Sequence, residues 1–311
     1  MFSGASNFVN SVDSLTLFIF LVALFFLLGI TATMVYFVFR YNKTRNPKSE
    51  HITGNLTIEI VWTVIPLILV SIMFIYGWKD WKMLKSPPKD AFTISSTARM
   101  WSWSFQYPNG KVTDTLYVPL DKPIIVNVSS ADVIHSMYIP AFRIKQDMVP
   151  GNKNFLWFIG QKEGKYDIFC AEYCGLRHSY MTSAVYVMPQ PVFDKWYNDT
   201  SHMAMNPITG KIMAPGMILM RKYGCIACHS VDGAKIVGPT FKGIYGQKTT
   251  VLVGDKEMQV TVDDAYIEES VYDPNAKIVK GFRQGFMQPF SKEMVSKKDI
   301  LVIADYIKSL K

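Results

Sequence analysis

The sequence predicts a multidomain chain: a two-helix transmembrane hairpin, then an all-β barrel or sandwich, then a small all-α domain. Three observations predict it. Two long apolar runs stand near the N-terminus, at about residues 14–39 and 60–78. From about Ala91 to Met188 apolar residues recur with period two, and towards Leu310 the period becomes helical. The units are placed at 1–90 for the hairpin, 91–190 for the β domain, 191–213 for a linker and 214–311 for the helical domain.

The first run, Ser14 to Phe39, carries no charge and is apolar all round, long enough to span about 30 Å of hydrocarbon. The second, Ile60 to Trp78, is near the minimum spanning length and contains Pro66, which transmembrane helices tolerate. A cleaved signal peptide is disfavoured: the first run lacks a basic leader and a small-residue cleavage site, is too long, and is followed by Arg40. Arg40, Lys43, Arg45 and Lys48 lie between the runs and no basic residue precedes them. This places the short loop in the cytoplasm and both termini outside, although Lys79, Lys82, Lys85 and Lys89 after the second run pull the other way.

In the middle unit Trp101, Trp103, Phe105 and Tyr107 alternate with Ser102, Ser104 and Gln106. Ile124, Val126 and Val128 alternate likewise, as do Val185 and Val187, and Pro108-Asn109-Gly110 is a good hairpin turn.

Chemistry concentrates in Cys170-Ala171-Glu172-Tyr173-Cys174, followed by His178 and Met181. The two cysteines alone would suit a disulfide or half of a structural zinc site. A disulfide needs neither the histidine nor the methionine, and zinc rarely takes a thioether. Soft sulfur with one nitrogen is the ligand set copper prefers. Two thiolates suit a pair of coppers bridged by both sulfurs, with a second nitrogen from elsewhere, for which His135 is the obvious donor. The loop, with Asp132-Val133-Ile134-His135-Ser136 upstream, resembles the CuA site of cytochrome c oxidase subunit II. The resemblance implies a cupredoxin barrel with bridging Cys170 and Cys174, terminal His135 and His178, weak Met181 and the backbone carbonyl of Glu172. It further implies a Mg²⁺ facing the Glu172 carboxylate at the boundary with the catalytic subunit.

Cys225-Ile226-Ala227-Cys228-His229 is the second strong signal. Cys-x-x-Cys-His reads as covalent attachment of a c-type haem, with the histidine on the iron. A redox dithiol or zinc half-site is the alternative, and Gly238-Pro239 ten residues on, similar to the segment beneath the proximal histidine in small cytochromes c, favours haem. The sixth ligand is assigned to Met287 in Gly285-Phe286-Met287-Gln288-Pro289-Phe290; that family usually has Met-Pro there, so Gln288 is a departure. Met294 is the rival, at the start of the amphipathic run Lys292 to Leu310. Met217 and Met220 are assigned to packing. Haem attachment of this kind is matured on the outer side of bacterial membranes, which supports the orientation above.

Two further roles rest on the oxidase resemblance. Glu59 marks the mouth of a proton channel in the catalytic subunit, and Trp101 occupies an exposed aromatic position near the copper where electrons enter. His202, Met203 and Met205 in the linker make a weak third-metal candidate, and His51 has no visible partner.

The formal net charge is +8 at pH 7, but the lysines are dispersed and no nucleic-acid motif accompanies them. The four cysteines are all claimed by metal or haem, leaving none for a disulfide framework. The expectation is subunit II of a bacterial haem–copper cytochrome c oxidase with a fused cytochrome c domain, in the inner membrane. Its partners would be oxidase subunit I and other oxidase subunits, with electrons from an upstream quinol-oxidising complex or a cytochrome c. A nitrous oxide reductase would need a large catalytic domain, a quinol oxidase subunit would lack the copper ligands, and a copper-storage protein would have no use for haem.

Overall fold

The computed structural model describes residues 4–48, 51, 53–199 and 213–311. Two helices, α1 (Val9–Arg40) and α2 (Leu56–Leu84), form the hairpin. Neither has a buried residue, and large apolar side chains such as Phe25, Leu28, Trp62 and Phe74 face outward along both. That surface is stable only in hydrocarbon, and both helices exceed the expected spans at each end. Asn55 caps α2, its Oδ1 accepting from the Ile58 N–H at 3.2 Å, and Pro66 sits inside the helix. The expected third metal candidate, His202, Met203 and Met205, lies outside the described residues.

Ten strands make two five-stranded sheets. The first, in order β3-β2-β1-β5-β8, comprises Val112–Thr113, Ser102–Gln106, Phe92–Arg99, Pro123–Ser130 and Asn154–Ile159. The second, β4-β10-β9-β6-β7, comprises Leu116–Pro119, Thr182–Met188, Gly164–Cys170, His135–Ile139 and Ile144–Met148. The period-two pattern is the cause: Ile94, Ser96 and Ala98 of β1 and Ile124, Val126 and Val128 of β5 all face the core. Gly110, at φ 84°, makes the expected turn between β2 and β3, where a residue with a Cβ would be strained.

The sandwich is seated on the N-terminal end of α1 and the C-terminal end of α2. Phe8, just before α1, is fully buried and meets Trp157 edge-on at 4.8 Å. Asp13 on α1 pairs with Arg143 at 2.6 Å, and Trp157 donates to the Met83 carbonyl at the end of α2. Helix α3 (Gln190–Asn198) begins where a linker was expected. It packs on the sandwich, because Phe193 and Trp196, three apart, bury together in the same core.

The last unit contains α4 (Pro215–Lys222), α5 (Asp264–Tyr272) and α6 (Lys297–Ser309). Helices α4 and α6 cross closely at Gly216, where a Cβ would lie 2.2 Å from that of Tyr306. Met220, Ile303 and Ile307 form the core between them. Sequence period showed only helices here, whereas the structure adds a small sheet, β12-β11-β13 (Lys256–Thr261, Lys248–Val253, Ile278–Val279). Its strands are short and largely exposed, so they carry little apolar alternation to read.

Candidate functional site

The first constellation is built at one end of the second sheet. His135 is the first residue of β6 and Cys170 the last of β9, neighbours in the sheet with Met137 opposite Cys170. The loop after β9 is tied back by the Ala171 N–H to the Ser136 carbonyl at 3.0 Å and by the Cys170 N–H to the Met181 carbonyl at 3.2 Å. It then returns Cys174, His178 and Met181 to the same point.

The donor atoms converge without a disulfide. The two Sγ atoms are 3.7 Å apart, well beyond the about 2.05 Å of an S–S bond. His135 Nδ1 lies 3.8 Å from Cys170 Sγ, and His178 Nδ1 3.5 Å from Cys174 Sγ. Met181 Sδ is 3.8 Å from Cys174 Sγ, and the Glu172 carbonyl 3.2 Å from Cys170 Sγ. Two thiols flanked by two imidazoles, with a thioether on one side and a carbonyl on the other, fit two soft metal ions sharing both sulfurs. They fit a single zinc poorly, since six donors exceed its tetrahedral set.

Electrostatics prepare the pair for a cation. Burial pushes the Cys170 thiol up, but hydrogen bonds from His135 and the loop backbone outweigh it and hold the thiol down at about 6. Burial and the neighbouring Cys170 charge push Cys174 up to about 12. Two thiolates this close cannot both ionise until positive charge arrives. Behind His135, Asp132 Oδ1 meets its Nε2 at 2.8 Å, fixing the ring so that Nδ1 faces the sulfurs. The other Asp132 oxygen accepts from the Met100 N–H at 2.7 Å. Asp132 had entered the sequence reading only as part of a motif; its support role needs the fold.

Trp101 corrects one expectation. It is not exposed: 5 % of its surface is accessible, as is 2 % of Trp103. Trp101 sits in the turn between β1 and β2, outside strand alternation, so both tryptophans can face inward. Its indole donates to the Cys174 carbonyl at 3.0 Å, and with Ile226 and Ala227 of the last unit it lines a cleft between the units. The Glu172 carboxylate pairs with Lys145 at 3.1 Å. Glu59 lies exposed in the first turn of α2.

The second constellation lines an apolar cavity in the helical unit, of ≈ 1560 Å³ including its open mouth. Cys225, Cys228, His229 and Met287 all contribute to its wall. Burial pushes Cys225 up to about 12 and Cys228 to about 11, the opposite of an activated redox dithiol. His229 Nδ1 donates to the Pro239 carbonyl at 2.8 Å, leaving Nε2 for a metal. The ring stacks on Phe241 at 4.5 Å, and Gly238 packs against it so closely that a Cβ would lie 2.5 Å from its Cε1. An apolar slot with two free thiols, one oriented imidazole and a thioether fits a haem. Met294 does not line the cavity; it is 46 % exposed and its Sδ meets Arg99. Met220 is fully buried in the core between helices.

The two units touch directly. Arg221 pairs with Asp114 at 2.8 Å, and Arg177 donates to the Ala227 carbonyl. Cys228, Val237 and Phe286 pack against the sandwich core.

Comparisons with known proteins agree with this architecture. Residues 1–79 match the model of the cytochrome c oxidase subunit II transmembrane domain, 109–188 that of its periplasmic domain, and 213–311 that of cytochrome c. Cytochrome c oxidase subunit 2 of Alkalihalophilus pseudofirmus is 29% identical, over 96% of this chain and 86% of that protein. The probable cytochrome c oxidase subunit 2 of Rickettsia conorii is 30% identical over 61% of this chain and 70% of that one. Among solved structures, the periplasmic domain of subunit II from Bradyrhizobium japonicum is 33% identical, covering 37% of this chain and 97% of that one, at a TM-score of 0.35. The chain belongs to the cytochrome c oxidase subunit II family, as a membrane protein whose copper-binding domain is followed by a cytochrome c domain.

Proposed function

We propose that this chain is the subunit through which electrons enter a cytochrome c oxidase, receiving them at a covalent c-type haem and passing them by way of a dinuclear copper centre to subunit I, where O₂ becomes water and protons are pumped. The observation that carries the reading is the convergence of four further donors on two sulfurs 3.7 Å apart, with the haem cavity of the same chain docked alongside. When bound, haem and copper supply reversible one-electron chemistry.

The residues supply everything else. Cys170 and Cys174 would bridge the coppers, with His135, His178, Met181 and the Glu172 carbonyl completing the set. Asp132 holds His135, and the sandwich holds the loop, so a change of charge meets a rigid frame. Cys225 and Cys228 would form the thioethers, and His229 and Met287 the axial pair. Trp101 donates one hydrogen bond to the Cys174 carbonyl and lines the cleft between the two units. Neither constellation carries a general acid–base pair aimed at a substrate, which fits electron transfer and not O₂ chemistry on this chain.

The proposal extends outward. The hairpin crosses a bacterial inner membrane, with the soluble units and termini on the periplasmic side and Glu59 at the cytoplasmic end of α2, at the mouth of a subunit I proton path. A Mg²⁺ at the subunit boundary would take the Glu172 carboxylate, which Lys145 pairs in this chain; its other oxygen ligands would come from outside this chain. The donor is an upstream quinol-oxidising complex or a cytochrome c. The test is the paramagnetic resonance spectrum of the oxidised, fully loaded chain in detergent. One unpaired electron shared equally by two coppers, beside a low-spin ferric haem, is expected; a single-copper signal overturns the reading.

A further inference from the structure

Arg99 ends β1 of the copper-binding sandwich, yet its side chain forms part of the haem cavity wall together with Met100, Cys225 and Met287. Its guanidinium lies 4.4 Å from the centroid of the Phe290 ring, and one amino nitrogen lies 3.6 Å from Met294 Sδ. Phe290 and Met294 follow Met287 by three and seven residues. That segment contains no helix or strand. Its own unit holds it through the Gly285 N–H on Asn275 and the Phe290 N–H on the Val271 carbonyl, at 2.9 and 3.1 Å. The copper-binding unit holds it from the other side, through Arg99 and through Phe286 packed on the sandwich core.

The charge of Arg99 is weakly compensated. Among the described residues no carboxylate forms an ion pair with it; Asp132 attracts it from farther off but is engaged by His135 and the Met100 N–H, and its close partners are an aromatic face and a thioether. An aromatic face attracts a guanidinium without neutralising it, and arginine stays charged. A fixed positive charge beside a low-dielectric cavity disfavours further positive charge there. Oxidised haem iron carries one more positive charge than reduced iron.

We infer that Arg99 is a positioning residue acting across the domain boundary: it clamps the Met287 segment from the copper side and raises the reduction potential of the haem. The inference rests on Met287 as the axial ligand. The clamp makes ligation of one centre depend on docking against the domain of the other.

The experiment compares the full chain, loaded with copper and haem in detergent, with its Arg99→Leu and Arg99→Lys variants. The haem is titrated potentiometrically, and loss of the methionine-to-iron absorption band is followed in urea. The copper resonance signal checks that each variant is folded. Arg99→Leu is expected to shift the haem equilibrium about tenfold towards the oxidised form, 59 mV for one electron, and to lose the band at lower urea. Arg99→Lys keeps the charge but not the planar stack, so it should retain most of the potential and still lose the band early. An unchanged potential in Arg99→Leu overturns the inference, as does a Lys variant whose potential falls as far as that of Leu. A Met287→Ala variant separates the failures. If it keeps the wild-type band, the axial assignment falls and the clamp with it; if it loses the band while Arg99→Leu moves nothing, only the clamp falls.

Discussion

The indole of Trp101 donates its Nε1–H to the backbone carbonyl of Cys174 at 3.0 Å. One side chain therefore lines the cleft between the units and touches one of the two converging cysteines. Trp101→Phe keeps most of the ring but removes this bond and should cost about 1 kcal/mol of stability. It should also slow electron transfer from haem to copper by about tenfold, equal to about 1.4 kcal/mol of barrier. Flash reduction of the loaded chain, read at the haem and copper absorptions, measures it; an unchanged rate means the electron takes another route.

The cysteine pair predicts how copper uptake depends on pH. With Cys170 held at about 6 and Cys174 pushed to about 12, the metal-free pair at pH 7 carries one proton. Metal binding must release it, together with the proton that His135 gains as it holds Cys170 down. Copper affinity should therefore rise with pH through the neutral range. Calorimetric titration in buffers of different ionisation enthalpy counts the protons directly. A copper affinity independent of pH would show that no proton leaves the pair on binding.

Asp132 should matter almost as much as a ligand. Asp132→Asn preserves shape but removes the negative charge behind His135, and the loss of such a partner typically weakens metal binding 10–100-fold. Competition with a chelator measures the copper affinity. Asn offers one acceptor oxygen where Asp132 offers two, so either the Met100 N–H or the Val133 and His135 N–H groups lose their partner, and the melting temperature should fall as well.

Gly238→Ala tests the haem side. The new methyl would meet the His229 ring at 2.5 Å, within a packed wall that can yield only by moving the imidazole. Overpacking of this kind costs about 1–3 kcal/mol. Covalently bound haem per chain, measured after denaturation, should fall, while the copper signal stays whole.

The groups that the fold brings together were legible where they are contiguous. The run from Cys170 to Met181 and the run from Cys225 to His229 keep their donors within one or two turns of chain, so spacing alone brings them together. The long apolar helices were legible for the same local reason. What spacing could not show were contacts between distant segments. Asp132 behind His135 became visible as a partner only through the β6 strand end, and Arg99 at the haem cavity only through the docked units. Trp101 was expected to be exposed from the family resemblance; its burial depends on the Cys174–Gly175 segment, which lies far along the chain and packs against it. Phe193 and Trp196 looked like part of a linker, because their burial depends on a sheet formed by residues far upstream.

The short separation of the Cys170 and Cys174 sulfurs also sets an order of events in the life of the protein. A thiolate 3.7 Å from a thiol is a disulfide waiting to close wherever an oxidant reaches it. Once closed, the bridge would occupy both sulfurs and bar the metals. Maturation therefore has to deliver copper before oxidation reaches the loop, or supply a reductant that reopens it, and the newly made chain is at its most vulnerable in the interval between.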